Sequence, residues 1–373
     1  MSSFYIHIPF CKQACHYCDF HFSTSLKKKD EMIQALAKEI AMRKSEVQDK
    51  VETIYFGGGT PSVLSVEDMR FLIDEVYKNY KVTRNPEITL EANPDDLSAE
   101  KIRELANSPI NRLSIGIQSF FEEDLQLMNR AHNATQAKKC LEEATKYFEN
   151  ITLDLIYGIP NMSDEKWLEN IEIALDFDIP HISSYALTVE PKTTLKKLIE
   201  KGEIPQLNEE TAERHFFLLV EKLTKRNFIH YELSNFGKEG YFSKNNTSYW
   251  LGKKYIGIGP SAHSYNGTYR SWNVANNSIY IKEINRGNLP SEVEELAVSD
   301  RYNEYVMTGL RTIWGVSLDK IKIDFGQEYY DYLIKTSEKF LTNGLLENKN
   351  QKLIITPKGK FLSDGIISEL FKI

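Results

Sequence analysis

The apolar positions of the chain alternate between short continuous runs and longer segments in which apolar residues recur every three or four positions. A continuous run is typical of a buried strand, whereas the wider spacing is typical of an amphipathic helix. The segment from Lys28 to Val47 shows the second pattern, because Met32, Leu36 and Ile40 lie four residues apart. Six runs alternate with such helical segments and predict strands at 4–9, 51–56, 87–92, 112–118, 151–157 and 181–189.

Six consecutive strand–helix units favour an α/β fold with a parallel sheet covered by helices. The predicted strands are apolar nearly throughout, as expected of strands that are covered on both faces. We interpret the pattern as an incomplete (β/α)6 TIM-like barrel, although a flat doubly wound sheet would share it. In barrels the chemistry lies at the C-terminal ends of the strands. Polar residues cluster at these ends and predict one central site: Gly57 to Thr60, Glu91, Gln118, Asp154 and Tyr185.

The rhythm changes beyond about residue 275, where helical patterns follow one another without a strand between them. The predicted elements are helices at 298–310, 319–325 and 329–341, a hairpin at 345–356 that turns at 349–351, and a helix after Lys358. Helices followed by a small hairpin predict a compact α+β, winged-helix-like domain, which we interpret as a lid or docking module. We therefore divide the chain into a barrel domain, 1–275, and a C-terminal domain, 276–373.

Net charge and hydropathy argue against a nucleic-acid-binding surface and against a membrane-spanning segment. The 373 residues carry a net charge of −7, which argues against a general nucleic-acid surface, since that would need clustered Lys and Arg. No apolar stretch approaches the ~20 residues that span a bilayer. The N-terminal sequence also lacks the basic region and apolar core of a signal peptide. We expect a cytoplasmic protein with reduced thiols; peripheral membrane contact and the oligomeric state stay open.

Three of the four cysteines form a C-x3-C-x2-C cluster, Cys11, Cys15 and Cys18. Three thiolates so close in sequence can converge on one metal centre. An iron–sulfur cube usually takes four Cys ligands, so a three-Cys loop would leave one iron open to a small molecule. The spacing alone also allows a structural zinc site of three Cys and one His, with His7 or His16 as the fourth ligand.

The fourth cysteine stands apart from this cluster. Cys140 lies in a segment of helical pattern and is expected to be a buried small side chain. A disulfide framework is not indicated, because three clustered cysteines cannot all pair and four cysteines are few for a chain of this length.

A glycine triplet ends the second predicted strand, in the sequence YFGGGTP at 55–61. Glycines after a strand permit unusual backbone angles and close approach of a ligand to main-chain N–H groups. Alone, the triplet would be consistent with a tight turn. Behind a three-Cys loop, it resembles the radical S-adenosylmethionine (SAM) superfamily. That resemblance implies a [4Fe-4S] cluster on Cys11, Cys15 and Cys18, with SAM bound to the fourth iron and lying against the glycines.

Within this superfamily the chain resembles the coproporphyrinogen dehydrogenase (HemN) and HemW group. The matching stretches are 5–11, 57–61, 91–94, 114–119, 154–160 and 257–263. The resemblance implies that SAM is contacted by Tyr5, Tyr17, Gly58, Gly59, Thr60, Glu91, Gln118, Arg130, Asp154 and Ala186. The ammonium and ribose hydroxyls of SAM suit acceptors such as Glu91 and Asp154, and its carboxylate suits Arg130. The alternatives are a strand-end cap for Asp154 and a surface charge for Arg130.

Two departures from the coproporphyrinogen enzymes favour the HemW subgroup. Those enzymes carry a further Cys two residues after the third cluster Cys, where this chain has Phe20. They also have a long N-terminal extension, whereas here the motif begins at Tyr5. The resemblance therefore implies a heme chaperone that binds heme and transfers it to acceptor proteins. The alternative is a radical SAM enzyme of porphyrin biosynthesis, an oxygen-independent coproporphyrinogen III oxidase.

A third departure concerns the heme motif. HemW proteins carry H-N-x-x-Y-W, and this chain has N-N-T-S-Y-W at 245–250. The resemblance implies heme contacts at Asn246, Tyr249 and Trp250. The amide of Asn245 is a poor iron ligand compared with His, Met, Cys or Tyr. Tyr249, His230 or His263 could serve instead, or no axial ligand. We expect heme binding to be weaker than in relatives with the His, and to tighten after Asn245→His.

Overall fold

The computed structural model describes residues 2–373. The strands are β1 (Ser2–Ile8), β2 (Val51–Gly58), β3 (Val82–Ala92), β4 (Arg112–Gln118), β5 (Ile151–Tyr157), β6 (His181–Ala186), β7 (Ile229–His230), β8 (Asn235–Gly237), β9 (Tyr255–Ile258), β10 (His263–Tyr265), β11 (Tyr269–Asn273), β12 (Ser291–Glu295), β13 (Val316–Ser317), β14 (Leu346–Lys349) and β15 (Lys352–Ile355). The helices are α1 (Lys29–Met42), α2 (Val66–Asn79), α3 (Ala99–Ala106), α4 (Glu122–Leu127), α5 (Ala134–Ala144), α6 (Asp164–Asp176), α7 (Thr194–Glu200), α8 (Glu209–Lys225), α9 (Lys244–Trp250), α10 (Asn277–Asn285), α11 (Val298–Leu310), α12 (Leu318–Phe325), α13 (Gln327–Thr342) and α14 (Ser363–Leu370). Among the residues described, no helix combines the length and apolar character needed to cross a membrane.

Strands β1 to β6 lie side by side in chain order and are all parallel. A doubly wound sheet would reverse its strand order at a switch point, and this sheet does not. β1 and β6 are not paired with each other, because their outer neighbours are β9 and β8. The fold is therefore the predicted incomplete (β/α)6 barrel, open along one side.

The sheet is longer at both ends than the sequence predicted. β9 continues it in parallel beside β1 and is followed by the antiparallel strands β10, β11 and β12. At the other end β8 pairs antiparallel with β6, and β7 pairs with β8. These added strands are two to five residues long. Such short strands give no apolar run, so hydropathy could not reveal them.

Polar side chains cap several barrel helices at their N-termini. Ser65 and Asp68 form a capping box at the start of α2, with the Ser65 hydroxyl accepting the Asp68 N–H at 3.1 Å. Ser98, Ser163 and Thr193 cap α3, α6 and α7 in the same manner. A cap satisfies N–H groups that have no partner within the helix. Each cap thus fixes the point where a loop ends and a helix begins. These loops follow the C-terminal ends of the strands and form the rim of the barrel there.

Helix α9 packs against the inside of the barrel near the N-terminal ends of β2 and β3. The side-chain oxygen of Asn245 accepts a hydrogen bond from the Thr53 hydroxyl at 3.0 Å. The backbone N–H groups of Lys244 and Asn245 donate to the Glu87 carboxylate at 3.2 and 3.1 Å. The helix is therefore anchored by its first residues, and its later residues extend towards the open side.

A second hydrophobic core begins after the large sheet ends. It gathers residues of α11 to α14 around a three-stranded sheet in the order β13–β15–β14. The β14–β15 hairpin turns at Asn350 and Gln351, whose φ values of 54° and 60° are those of a type I′ turn. The predicted small C-terminal α+β unit is confirmed by this arrangement of helices and hairpin.

The packing bears on where the two units divide. Tyr280, Ile281 and Ile284 of α10 belong to the core of the barrel, and β12 extends its sheet. The second core starts with Tyr302. We propose a boundary near Leu296, some twenty residues beyond the predicted one at 275, because α10 and β12 pack with the barrel.

The C-terminal unit lies across the open side of the barrel. It meets one edge of the opening where the Ile313 N–H donates to the Tyr231 carbonyl at 3.0 Å. It meets the other edge through an ion pair between Glu304 of α11 and Arg270 of β11. Between these contacts a cleft of about 650 Å³ stays open. A volume of this size lies within the range of about 300–1,000 Å³ found for small-molecule sites.

Candidate functional site

The cysteine loop follows β1 and is held in place by backbone contacts. The Cys11 N–H donates to the Ser23 carbonyl at 3.1 Å, which closes the loop at its base. The side-chain amide of Asn129 donates to the Ala14 carbonyl at 2.7 Å. The loop is thus fixed at its base and at its middle, and it presents Cys11, Cys15 and Cys18 as free thiols.

Two donors point at the sulfur atoms of this loop. The Thr60 hydroxyl donates to Cys11 Sγ at 3.4 Å, and Arg130 Nη1 donates to Cys15 Sγ at 3.3 Å. Burial raises the pKa of the Cys11 thiol to about 11 and also raises the pKa of Cys18. A metal ligand must be the thiolate, so metal binding here would release protons. Donors and a buried cation beside the sulfurs fit a site for an anionic iron–sulfur cluster.

The zinc alternative finds no support in this geometry. Nε2 of His7 lies 3.0 Å from the His21 carbonyl and its Nδ1 lies 3.1 Å from the Tyr5 hydroxyl. Nδ1 of His16 lies 2.9 Å from the Leu127 carbonyl. Within residues 2–373, no three His, Cys, Asp or Glu side chains are arranged to hold one metal ion. A cube spreads its ligands more widely than one ion does, because each Cys binds a different iron.

Arg130 is the centre of a buried hydrogen-bond network. Its Nη2 donates to Asn93 Oδ1 at 2.7 Å and to the Gly116 carbonyl at 2.8 Å, and its Nη1 donates to the Tyr17 hydroxyl at 3.3 Å. Burial opposes the charge, but the neighbouring Tyr17 and Cys15 outweigh it, and the pKa of the guanidinium is raised. The surface-charge alternative for Arg130 is therefore wrong: this cation is fixed between the cysteine loop and the strand ends.

The glycine triplet packs tightly against β1 and the start of the cysteine loop. Gly58 has φ of +109°, and a Cβ there would lie 2.5 Å from the His7 ring. A Cβ on Gly59 would lie 2.6 Å from the Phe10 carbonyl oxygen. The need for glycine is thus explained by protein neighbours alone, and the role of these residues towards SAM stays a prediction.

Two carboxylates face the interior of the barrel near the strand ends. The Tyr55 hydroxyl donates to Glu91 Oε1 at 2.7 Å. Burial raises the pKa of Glu91 to about 7, against the effect of Tyr55 and of the Gly58 N–H. Burial and the charge of Glu91 raise the pKa of Asp154 to about 7, opposed by a hydrogen bond from Ser183. Ionising two neighbouring buried carboxyl groups is energetically costly when no cation is near. A bound cation would stabilise the charged form of both.

The residues that the family resemblance implies for SAM come together in two adjoining groups. One group surrounds Arg130; Gln118 belongs to it, since a Cβ on Gly116 would lie 2.8 Å from Gln118 Nε2 and 3.2 Å from Arg130 Nη2. The other group surrounds Glu91, whose charge acts on Asp154 and on Tyr5. The first group holds Tyr17, Thr60, Gln118 and Arg130, and the second holds Tyr5, Glu91 and Asp154, with Gly58 and Gly59 beside them and Ala186 at the end of β6.

Two further side chains complete the network, and the sequence assigned neither of them to the SAM site; His7 was considered only as a zinc ligand. Asn93 links Arg130 to Thr60, since its amide also donates to the Thr60 hydroxyl at 3.3 Å. His7 fills the space beside Gly58 and bonds to Tyr5. Asn93 lies two residues after Glu91, and His7 lies two residues after Tyr5. Side chains two residues apart along a strand point to the same face, so this spacing would have indicated that both face the barrel interior.

The cleft on the open side brings the expected heme residues together. Asn246, Tyr249 and Trp250 of α9 all line it. Tyr249 packs edge to face against Tyr255, with ring centroids 4.6 Å apart. The opposite wall comes from the C-terminal unit and includes aromatic residues such as Tyr305. The motif therefore contributes one aromatic wall of an open cleft.

Asn245 itself does not face this cleft. Its side chain is 1% exposed and bonds to Thr53 inside the barrel. Of the other expected iron ligands, His230 is buried and bonded to Lys360, and His263 lies outside the cleft lining. Only Tyr249 of that group lines the space. The Asn245 side chain also hydrogen-bonds to Tyr249, one helical turn further on, so it lies behind the cleft wall and not in it. We therefore expect Asn245→His to act on bound heme only through Tyr249, and the effect of this substitution stays a prediction.

Comparisons with known proteins agree with these features. The model of the radical SAM superfamily matches residues 5–174, and that of the HemN C-terminal domain matches residues 296–362. The heme chaperone HemW of Bacillus subtilis is 34% identical over 371 residues, covering 98% of each chain. The HemW of Lactococcus lactis is 33% identical and covers 99% of this chain and 97% of its own.

A solved structure shows the same fold. Coproporphyrinogen III oxidase (HemN) from Escherichia coli, described as a radical SAM enzyme, superimposes with a TM-score of 0.84 at 21% sequence identity. The match covers 99% of this chain and 90% of that one. At this identity the likeness concerns the fold alone.

The open barrel, the three-Cys loop and the family model together define a radical SAM protein, a class that implies a [4Fe-4S] cluster and SAM. Within it, full-length similarity to curated relatives shows that the chain belongs to the HemW family, whose members are named heme chaperones.

Proposed function

We propose that this protein is a heme chaperone, which binds heme in the cleft on the open side of the barrel and transfers it to acceptor proteins. The observation that carries the proposal is the similarity to HemW relatives over nearly the whole of both chains. The cleft adds a site of suitable size and aromatic character, lined by the three motif residues Asn246, Tyr249 and Trp250.

The cluster site has a defined set of protein groups. Cys11, Cys15 and Cys18 would hold a [4Fe-4S] cluster, which supplies an open iron to which SAM can bind. Arg130 would fix the SAM carboxylate beside the loop, because its guanidinium is already oriented by Asn93 and the Gly116 carbonyl. The remaining SAM contacts would be Tyr5, Tyr17, Gly58, Gly59, Thr60, Gln118 and Ala186 together with the two acids.

Glu91 and Asp154 would interact with the positive charges of SAM. Burial raises the pKa of each to about 7, so both acids hold a proton more tightly than they do when exposed. A bound cation stabilises the charged carboxylates, so SAM binding would lower both pKa values. The barrel interior would therefore recognise SAM by charge as well as by shape.

The heme site would use aromatic walls and a weak iron ligand. Rings of α9 lie on one side and rings of the C-terminal unit on the other. No His or Cys lines the cleft among the residues described, whereas Tyr249 and Met307 do. Tyr and Met can both ligate heme iron. A modest ligand suits a protein that must release heme again, because release has to break every bond that binding makes.

The competing function is oxygen-independent oxidation of coproporphyrinogen III, to which the HemN-like fold would lend itself. In this chain Phe20 stands where those enzymes carry a further Cys, and its side chain is 69% exposed. We therefore expect negligible anaerobic turnover of coproporphyrinogen III with SAM and a reductant. Robust formation of protoporphyrinogen would establish the enzyme in place of the chaperone.

The direct test of the heme site is a titration of the anaerobically reconstituted protein, followed by Soret absorbance. Trp250→Ala should weaken heme binding roughly tenfold or more, since burying a large aromatic side chain contributes about 1.5–3 kcal/mol. Trp272→Ala is the matched control, because Trp272 lies outside the cleft lining. Equal affinities of the two variants would place heme elsewhere.

A further inference from the structure

The cationic side chains of the cleft are not equivalent. Lys253 pairs with Glu52 at 3.1 Å, Arg270 pairs with Glu304, and Lys320 pairs with Asp324. The remaining cation, Arg301, lies near the start of α11 and also lines the cleft. Within residues 2–373, no acidic side chain forms an ion pair with it.

Arg301 also carries a buried donor without a partner. Its Nε atom is shielded from solvent and makes no hydrogen bond. Buried donors are nearly always paired. The Nε atoms of Arg112, Arg130 and Arg311 also lack a partner, but of these four arginines only Arg301 lines the cleft, where a ligand could supply the acceptor. The guanidinium group is a rigid fork of donors that matches the geometry of carboxylate and phosphate groups.

Arg301 leaves that end of the cleft with one uncompensated positive charge, because Glu304 and Asp324 pair with Arg270 and Lys320. Arg301, Arg270 and Lys320 all act to lower the pKa of Tyr265, although burial and Glu304 outweigh them and raise it. Arg301 is thus near the phenol of Tyr265. The far end of the cleft, by contrast, is formed by Tyr185, Glu232 and Asn235 from the opposite edge of the sheet.

We propose that Arg301 is the carboxylate-binding residue of the cleft, and that it receives the carboxylate edge of the tetrapyrrole while the aromatic walls enclose its ring. The proposal rests on the proposed function, since it concerns the same cleft. Heme combines an apolar macrocycle with acidic side chains along one edge, and the cleft combines aromatic walls with one unpaired cation at one end. Arg301 would thereby fix which edge of the ring points towards the C-terminal unit.

The test compares two metal-free porphyrins, deuteroporphyrin IX and its dimethyl ester, so that iron ligation plays no part. Fluorescence titrations in mild detergent would give both affinities for the native chain, Arg301→Gln, Arg301→Lys and Lys320→Gln. The native chain should prefer the diacid by roughly ten- to hundredfold, the range of a charge-assisted hydrogen bond. Arg301→Gln should remove most of this preference and leave the affinity for the ester unchanged.

Two comparisons make the result decisive. Arg301→Lys should retain part of the preference, because it keeps the charge and loses the fork. Lys320→Gln should change little, because that lysine is already paired. A native chain that binds both porphyrins equally, or an Arg301→Gln variant that keeps the full preference, would overturn the proposal while leaving heme binding intact. A native chain that binds neither porphyrin but still takes up heme would overturn this inference alone, and one that binds neither porphyrin nor heme would overturn the proposed function as well.

Discussion

Arg130 illustrates how one residue connects the cysteine loop with the barrel. It contacts Cys15 and Tyr17 on one side and Asn93 and Gly116 on the other. A buried cation is stable only when it is paired and hydrogen-bonded. In this position the charge both stabilises a thiolate and leaves the loop correctly placed over the strand ends. The residue would therefore act on the proposed cluster site and the proposed SAM site together.

At the same scale, the assignment of the cluster ligands makes a sharp prediction. Anaerobic reconstitution should load about four iron atoms per chain, the content of one cube. Cys11→Ala, Cys15→Ala and Cys18→Ala should each lose most of this iron. Cys140→Ala is the control, since Cys140 is buried in the barrel core, and it should load iron normally. Stoichiometric zinc without iron uptake would contradict the assignment.

The acid Glu91 predicts a pH dependence of stability for the protein without SAM. Its pKa is raised by burial to about 7 in the folded chain and is about 4.3 when unfolded. The folded state therefore binds the proton more tightly, and the stability that this provides is full below pH 4 and is lost as the pH rises to about 7. Glu91→Gln removes the buried charge, so its free energy of unfolding at pH 8 should exceed that of the native chain by roughly 1–3 kcal/mol.

Urea unfolding of both proteins at pH 5 and pH 8 measures this difference, with the exposed Glu100→Gln as a control that should change neither value. The Glu91→Gln variant should also bind SAM more weakly, because it lacks the charge that faces the cation. A variant that is less stable at pH 8, or that binds SAM as well as the native chain, would show that Glu91 has a structural role only.

At the scale of elements, α9 decides what the heme motif can do. Asn245 at its start is bonded inside the barrel, whereas Asn246 at the next position lines the cleft. Successive residues of a helix point about 100° apart, so neighbouring positions serve different surroundings. The motif is therefore divided between anchoring the helix and lining the cleft.

This division predicts opposite outcomes for two neighbouring substitutions. Asn246→His should place an imidazole in the cleft, tighten heme binding and shift the Soret band towards His ligation. Asn245→His should give no His-type heme spectrum and should destabilise the chain by about 1–3 kcal/mol, because it replaces a buried amide that bonds to Thr53 and Tyr249 by a larger ring. Heme titration and thermal unfolding of both variants would check this. A His-type spectrum for Asn245→His alone would mean that α9 rotates when heme binds.

The elements that could be predicted from the sequence are those with a long local signal. The six barrel strands, α2 with its Ser65 cap and the C-terminal hairpin follow from apolar runs, capping chemistry and turn residues. The short strands β9 to β12 could not be predicted, because three to five residues carry no periodicity. The orientation of Asn245 and the burial of Arg130 depend on contacts between residues distant in sequence, and no local pattern reports those.

For the candidate site, sequence spacing grouped the three cysteines, and the position of polar residues near the ends of apolar strands indicated Glu91 and Asp154. The sequence indicated only part of the reason why glycine is required at Gly58 and Gly59. A ligand and a protein neighbour both require a missing Cβ, and only the structure shows that the His7 ring and the Phe10 carbonyl occupy the space at Gly58 and Gly59.

At the scale of the whole molecule, the C-terminal unit covers part of the open side of the barrel and forms one wall of the cleft. It bridges the two edges of the opening through Ile313 on one side and Glu304 on the other. The cleft lies beside the barrel interior, since the charge of Glu91 also acts on Tyr249 in its wall. A ligand in the cleft would thus adjoin the SAM site without occupying it. The arrangement suits a protein that carries a large ring near a cluster and releases it to another protein.

Transfer of heme is the measurement that tests the central claim most directly. Reconstituted protein carrying heme would be mixed anaerobically with an apo-acceptor such as apomyoglobin, and the Soret bands of the two holo forms would be followed over time. If the protein is a heme chaperone, it should take up about one heme per chain and deliver it to the acceptor. Trp250→Ala should load less heme, whereas Trp272→Ala should behave as the native chain does. A protein that takes up no heme in any redox or cluster state would contradict the account, as would one that binds heme and never delivers it.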